Sequence, residues 1–138
     1  MALSRRESRR DALHIGEKFV EAIDACETAL QLAPFRPVNY VMQLGWSLVG
    51  NRQYDASIPL FKEVIDRSPQ SFFAYIAFKG LTASYELTDR HAEAQWAAQN
   101  VMRMNPNFTL ESESRLSPAK EGPFKKRIMN AYRAAGLK

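Results

Sequence analysis

The sequence predicts an all-α fold: a short solenoid of stacked antiparallel helix pairs, closed by a C-terminal capping helix. Three observations carry this expectation. Pro34, Pro69 and Pro106 stand 35 and 37 residues apart, each just past an apolar segment of helical period, where a proline ends a helix. Upstream of two of them the same order of residue sizes recurs. It reads Val41-x-x-Leu44-Gly45-x-x-Leu48 then Ser57-x-x-x-Phe61, and again Phe78-x-x-Leu81-Thr82-x-x-Tyr85 then Ala94-x-x-x-Ala98. Upstream of Pro34 only the second half is found, as Ala22-x-x-x-Cys26. Small residues at Gly45 and Thr82 on first helices, and at Ala22, Ser57 and Ala94 on second helices, allow close approach. Their large neighbours fill the space around each contact. A period near 35 residues is the mark of such a stack.

The elements follow in order. Residues 3–14 predict a short polar helix. Residues 17–33 form a helix with Phe19, Val20, Ile23, Cys26 and Leu30 inward, and residues 38–50 the next, stopped by Gly50-Asn51 in a turn. Residues 54–67 carry Ile58, Leu60, Phe61, Val64 and Ile65. Residues 71–87 hold the most apolar stretch of the chain, and residues 90–104 carry Ala94, Ala98, Val101 and Met102. Residues 109–116 make one or two helical turns, with Thr109 as the N-cap. Gly122-Pro123 opens the last helix, with proline at the first helical position. Phe124, Ile128, Ala131, Tyr132 and Ala135 recur on one face of it, and Gly136 ends it. This helix is expected to cover the open flank of the last repeat. The chain thus divides into a basic segment with a degenerate first helix over 1–16, repeats over 17–106 and a capping segment over 107–138. The repeats comprise a half unit 17–36 and full units 37–70 and 71–106. Arg6, Arg9 and Arg10 occupy positions where a first helix should be apolar.

Composition sets the bounds. The chain of 138 residues is one domain in length, and 46% apolar with 25% charged residues is ordinary globular composition, not that of a disordered chain. One cysteine provides no disulfide framework and no Cys-based zinc site. The longest apolar run, Phe72 to Phe78, is far short of the roughly 20 residues that span a bilayer. No apolar segment follows the basic start, so no secretory signal is read and a cytoplasmic location is expected. A net charge of +4 permits weak attraction to nucleic acid or anionic lipid without requiring it.

The repeat pattern resembles the tetratricopeptide repeat over about residues 17–106. In the second unit Leu44-Gly45, Tyr54, Phe61 and Pro69 all fall in register; in the third, Thr82 replaces glycine and Ala98 the aromatic. The resemblance implies a right-handed αα-superhelix whose first helices line a concave face. A narrower resemblance is to the C-terminal repeat region of bacterial class III adenylate cyclases. It rests on Leu32-Ala33-Pro34-Phe35-Arg36-Pro37-Val38-Asn39-Tyr40 with Leu44-Gly45-Trp46, on Asn105-Pro106-Asn107-Phe108-Thr109-Leu110-Glu111, and on the ending Arg133-Ala134-Ala135-Gly136-Leu137. In that family the repeats follow a cyclase domain and serve regulation or assembly. These residues have no room for that domain beside the repeats, so the resemblance implies a detached or truncated regulatory module without cyclase activity.

No constellation of residues points to catalysis, a cofactor or a metal. Gly45-x-x-x-x-Gly50 has the spacing of a phosphate loop, but Asn51 stands where the lysine is needed and the segment is helical. Cys26 falls at a core position; a reactive thiol would need an electropositive, partly exposed site. His14 and His91 are isolated. Asp24, Asp55, Glu63 and Asp66 lie on polar faces without a paired carboxylate for acid–base work. Asn107-Phe108-Thr109 matches a glycosylation acceptor, and reads better as a turn leading into a helix.

The expected function is therefore binding of a protein or peptide. On the first helices of the pairs, the positions exposed to the groove are Asn39, Met42, Gln43 and Trp46 in one unit, and Lys79, Ala83 and Glu86 in the next. Met42 and Trp46 are costly to expose, so either they serve as anchors for a partner or a neighbouring helix, the 3–14 segment or one from another chain, covers them. A chaperone-tail carboxylate clamp is not expected, because Ala83 follows Lys79 where a second polar residue is needed. A stack of two and a half units is marginal, which makes a homodimer through Phe19, Ile23 and Leu30 an expected alternative to the monomer. The competing functional reading is a nucleic-acid or anionic-surface binder using Arg5, Arg6, Arg9 and Arg10 with Lys125, Lys126 and Arg127.

Overall fold

The computed structural model describes residues 18–138. The expected 3–14 helix, His14 and the Arg5, Arg6, Arg9, Arg10 cluster lie outside the described residues. Among those described there are seven helices and no strand. They are α1 (18–32), α2 (Val38–Gly50), α3 (Tyr54–Arg67), α4 (Phe72–Glu86), α5 (His91–Met104), α6 (Leu110–Leu116) and α7 (Pro123–Ala134). From α2 to α5 each helix packs on the next, and short connections hold such neighbours antiparallel. α2 also packs beside α4.

The two helix pairs are built alike in their local chemistry. The turn between α2 and α3 places Arg52 at φ 62°, and the turn between α4 and α5 places Asp89 at φ 61°. In both, the chain closes with the same backbone bond, Gln53 N–H to the Leu48 carbonyl and Arg90 N–H to the Tyr85 carbonyl, each 2.8 Å. α4 starts on Ser71, whose hydroxyl accepts from the Ala74 N–H at 3.1 Å. α6 starts on Thr109, which accepts from the Ser112 N–H at 3.0 Å, the N-cap that its sequence predicted. Gly136, at φ 105°, ends the last helix in the left-handed region.

Phe61 locks these pairs together. It is fully buried, and its ring reaches from α3 onto both first helices. A Cβ at Gly45 would meet the ring at 2.8 Å, and one at Gly80 at 2.3 Å. Trp46 packs edge-on against the same ring, with centroids 5.7 Å apart. The small residues Ser57 and Ser84 meet beside it through their hydroxyls at 2.8 Å, wholly buried. Of the expected small contact points, Gly45, Ser57 and Ala94 are buried, as is Thr82, whose hydroxyl is turned back onto the Phe78 carbonyl at 2.8 Å. On α4 it is Gly80, two residues earlier, that receives the aromatic.

α4 is the central helix. It packs against α2, α3, α5 and α7, and nine of its residues, from Ala74 to Tyr85, are buried. This explains its apolar composition on nearly every side. The last helix packs mainly on α4, the first helix of the last repeat, and on α6.

Its first turns extend past α4 to the end of the first pair, where Phe124 stacks on Phe19 of α1 with centroids 5.1 Å apart. Arg127 donates to the Gly50 carbonyl at the end of α2, at 3.4 Å. Its last turns close on the start of α6, with Phe108 against Tyr132 and the Leu110 N–H donating to the Lys138 carbonyl at 3.0 Å.

Gly80→Ala is expected to lower the unfolding free energy by about 1–2 kcal/mol net, although alanine favours a helix over glycine by about 1 kcal/mol. Adding Phe61→Leu, which replaces the ring with a smaller aliphatic side chain, should give a double variant whose loss is smaller than the sum of the two single losses. Urea unfolding followed by circular dichroism measures both; a Gly80→Ala chain as stable as its parent would show that the ring has room to move.

Candidate functional site

The seven expected groove residues do not form one surface. Asn39, Met42, Gln43 and Trp46 share a face of α2, as residues three and four apart do on a helix. Gln43 is exposed, and Asn39, Met42 and Trp46 are half-buried. Met42 and Trp46 rest their inner sides on the core. The Trp46 indole N–H is buried with no acceptor among the described residues. This face therefore presents one exposed amide beside a thioether and an indole edge.

The α4 half of the expected groove is closed. Ala83 is fully buried, which corrects its placement at the surface. Lys79 is committed to α6: its ammonium lies 2.9 and 3.2 Å from the two carboxylate oxygens of Glu113, and 4.9 Å from the centre of the Tyr75 ring. Glu86, mostly buried, pairs with His91 Nδ1 at 2.8 Å. Lys79 is covered from α6 and Glu86 is tied to the start of α5, while α7 also packs on α4.

The expected dimer face is also used within the chain. Ile23 and Leu30 are buried in the core, and Phe19 is held between Gly50 and Phe124. A Cβ at Gly50 would lie 2.4 Å from the Phe19 ring, which is why that position is glycine. Ile23 and Leu30 are thus used within the chain, and Phe19 is half-buried.

The remaining candidate groups are structural in their surroundings. Burial pushes the Cys26 thiol up, and the Glu27 charge adds to it, so the reactive thiolate is disfavoured. Glu63 accepts from Arg36 at 2.8 and 3.0 Å and from Arg67 at 3.0 Å, and these bonds hold its carboxyl below the usual range. Arg67 also donates to the Arg36 and Phe35 carbonyls, so the cluster ties the 33–37 turn to the end of α3. Asp55 pairs with Arg90 at 3.3 Å across the two turns.

Arg127 leaves the basic cluster that its sequence neighbours suggest: it points to Gly50 and lies over the Phe124 ring at 5.5 Å. Burial lowers its pKa, with Tyr54 opposing and Arg52 adding to the decrease. Among the described residues no three His, Cys, Asp or Glu side chains converge to hold a metal, and no helix is long and apolar enough to cross a membrane.

Tyr132, wholly buried beneath the α6 turn, links this interior to pH. Burial pushes its hydroxyl well above the ordinary value, and Glu113 and Tyr75 add to the shift. An acid whose folded pKa is raised stabilises the fold fully below the unfolded value, near 10, and loses that contribution as pH rises toward the folded value. Tyr132→Phe should therefore flatten the decline of stability above about pH 10. Denaturation midpoints on either side of that pH test this, and parallel declines in the two chains would refute it.

Set beside known proteins, the chain matches no family model, and no curated protein is similar to it in sequence.

Proposed function

We propose that the chain is a non-catalytic interaction module of the tetratricopeptide type, which holds a protein or peptide segment against α2. One observation carries this reading. The face of α2 that bears Asn39, Met42, Gln43 and Trp46 stays partly open, whereas on the matching face of α4 Ala83 is buried and Lys79 and Glu86 are paired within the chain. A half-open indole and thioether beside an exposed amide suit a short apolar anchor with one or two backbone bonds. The filled α4 half limits the contact to about one helix length. That favours a short linear segment of a larger protein over a broad domain surface. With the resemblance to cyclase tails, the reading is a regulatory or scaffolding part of a bacterial, cytoplasmic signalling protein.

A photo-crosslinking side chain at position 43 tests this against the same group at Gln99, an exposed position on α5. The expected result is a discrete polypeptide adduct from position 43 alone, weakened by Met42→Glu and by Trp46→Ala. Equal adducts from both positions, or adducts to nucleic acid only, would refute it.

A further inference from the structure

The outward side of α7 forms a second candidate site, separate from the α2 face. Lys125, Lys126, Asn130 and Arg133 line a cleft of about 350 Å³ between α7 and α6, with Ser114 on the α6 side. The Lys125 side chain is 9% exposed, yet its acceptor is the carboxylate of Glu121 at 2.7 Å, a side chain that is 86% exposed. A nearly buried lysine side chain is thus paired with a counter-ion that water surrounds and competes for. Arg133 donates one N–H to the Asn130 side-chain carbonyl at 3.1 Å, which leaves most of its five donors free. Lys126 is exposed at the rim. Three cations against the single Glu121 carboxylate leave two positive charges in the cleft.

The ligand class follows from charge, shape and lining. Two uncompensated charges match a dianion. A guanidinium fork with two ammoniums suits the three terminal oxygens of a phosphate ester better than a planar carboxylate. The volume lies at the lower end of ligand sites, about 300–1,000 Å³, enough for a phosphate with a small organic group. The only large apolar side chain in the lining is Met129, and no aromatic ring is present to stack a base, which disfavours a nucleic-acid strand.

We infer that the α6–α7 cleft binds a small soluble phosphate monoester through Lys125, Lys126 and Arg133, with Ser114 and Asn130 completing its hydrogen bonds. Glu121 occupies Lys125 when the cleft is empty and gives way to the ligand. Arg127 takes no part, since its guanidinium faces Gly50.

Titration of the full chain with inorganic phosphate and with a pentose 5-phosphate, at constant ionic strength and followed by amide NMR shifts, tests the site. Saturable shifts confined to α6 and α7 are expected with at least one of the two, and the tighter probe shows whether the organic group contributes. Lys126→Ala and Arg133→Ala, both at exposed positions, should each weaken binding by about tenfold. Glu121→Gln should tighten it, while Glu111→Gln, on an exposed residue outside the cleft, should leave it unchanged. No saturation at millimolar probe, or equal binding by parent and both Ala variants, would overturn the inference. So would binding only to nucleic acid or to anionic vesicles that the pentose phosphate fails to compete away.

Discussion

The ring of Phe61 is driven from α3 between α2 and α4, and both helices admit it because each lacks a side chain where it lands. A glycine inside a helix costs about 1 kcal/mol relative to alanine, and two such positions face one ring. The return is close approach: with Gly45 and Gly80 against the ring, α2 and α4 lie side by side, and Ser57 and Ser84 meet within hydrogen-bond distance. Trp46, edge-on against the same ring, is aimed by it.

The second organising fact is the return of α7. After Pro106 the chain begins a helix on Thr109 much as α4 begins on Ser71, but Ser117-Pro118 ends it at seven residues. Gly122-Pro123 then starts a new helix, which runs back along α4 instead of extending the stack. That return buries Tyr132 and Ile128, supplies Phe124 to Phe19, and gives the last carbonyls of α2 a cation in Arg127. It also divides the polar surface. One face of α7 packs on α4, while another gathers Lys125, Lys126 and Arg133 at the cleft beside α6.

Much of this was legible in the chain. The boundaries of α2 to α5, the Thr109 cap, the proline start of α7 and its Gly136 stop follow from periodicity and capping, which act between residues a few positions apart. The face of α2 bearing Asn39, Met42, Gln43 and Trp46 is likewise a matter of helical spacing. Gly80 was the missed signal: a glycine in the most apolar helix needs a packing reason, and the repeat alignment directed attention to Thr82 instead.

What the sequence determined by itself was the number, order and ends of the helices from α2 onward, together with the small and large residues that let consecutive ones pack. The tertiary structure alone decided which faces remain free. Ala83 looks like a groove position until the fold buries it, Lys79 until Glu113 of α6 pairs with it, and Ile23 and Leu30 look like a dimer face until the chain buries them. These outcomes depend on pairings such as Arg127 with Gly50 and Phe124 with Phe19, which join distant parts of the chain. Such a pairing leaves no periodic trace, because the fit of two surfaces is set by their shapes and charges together and not by the spacing of either one.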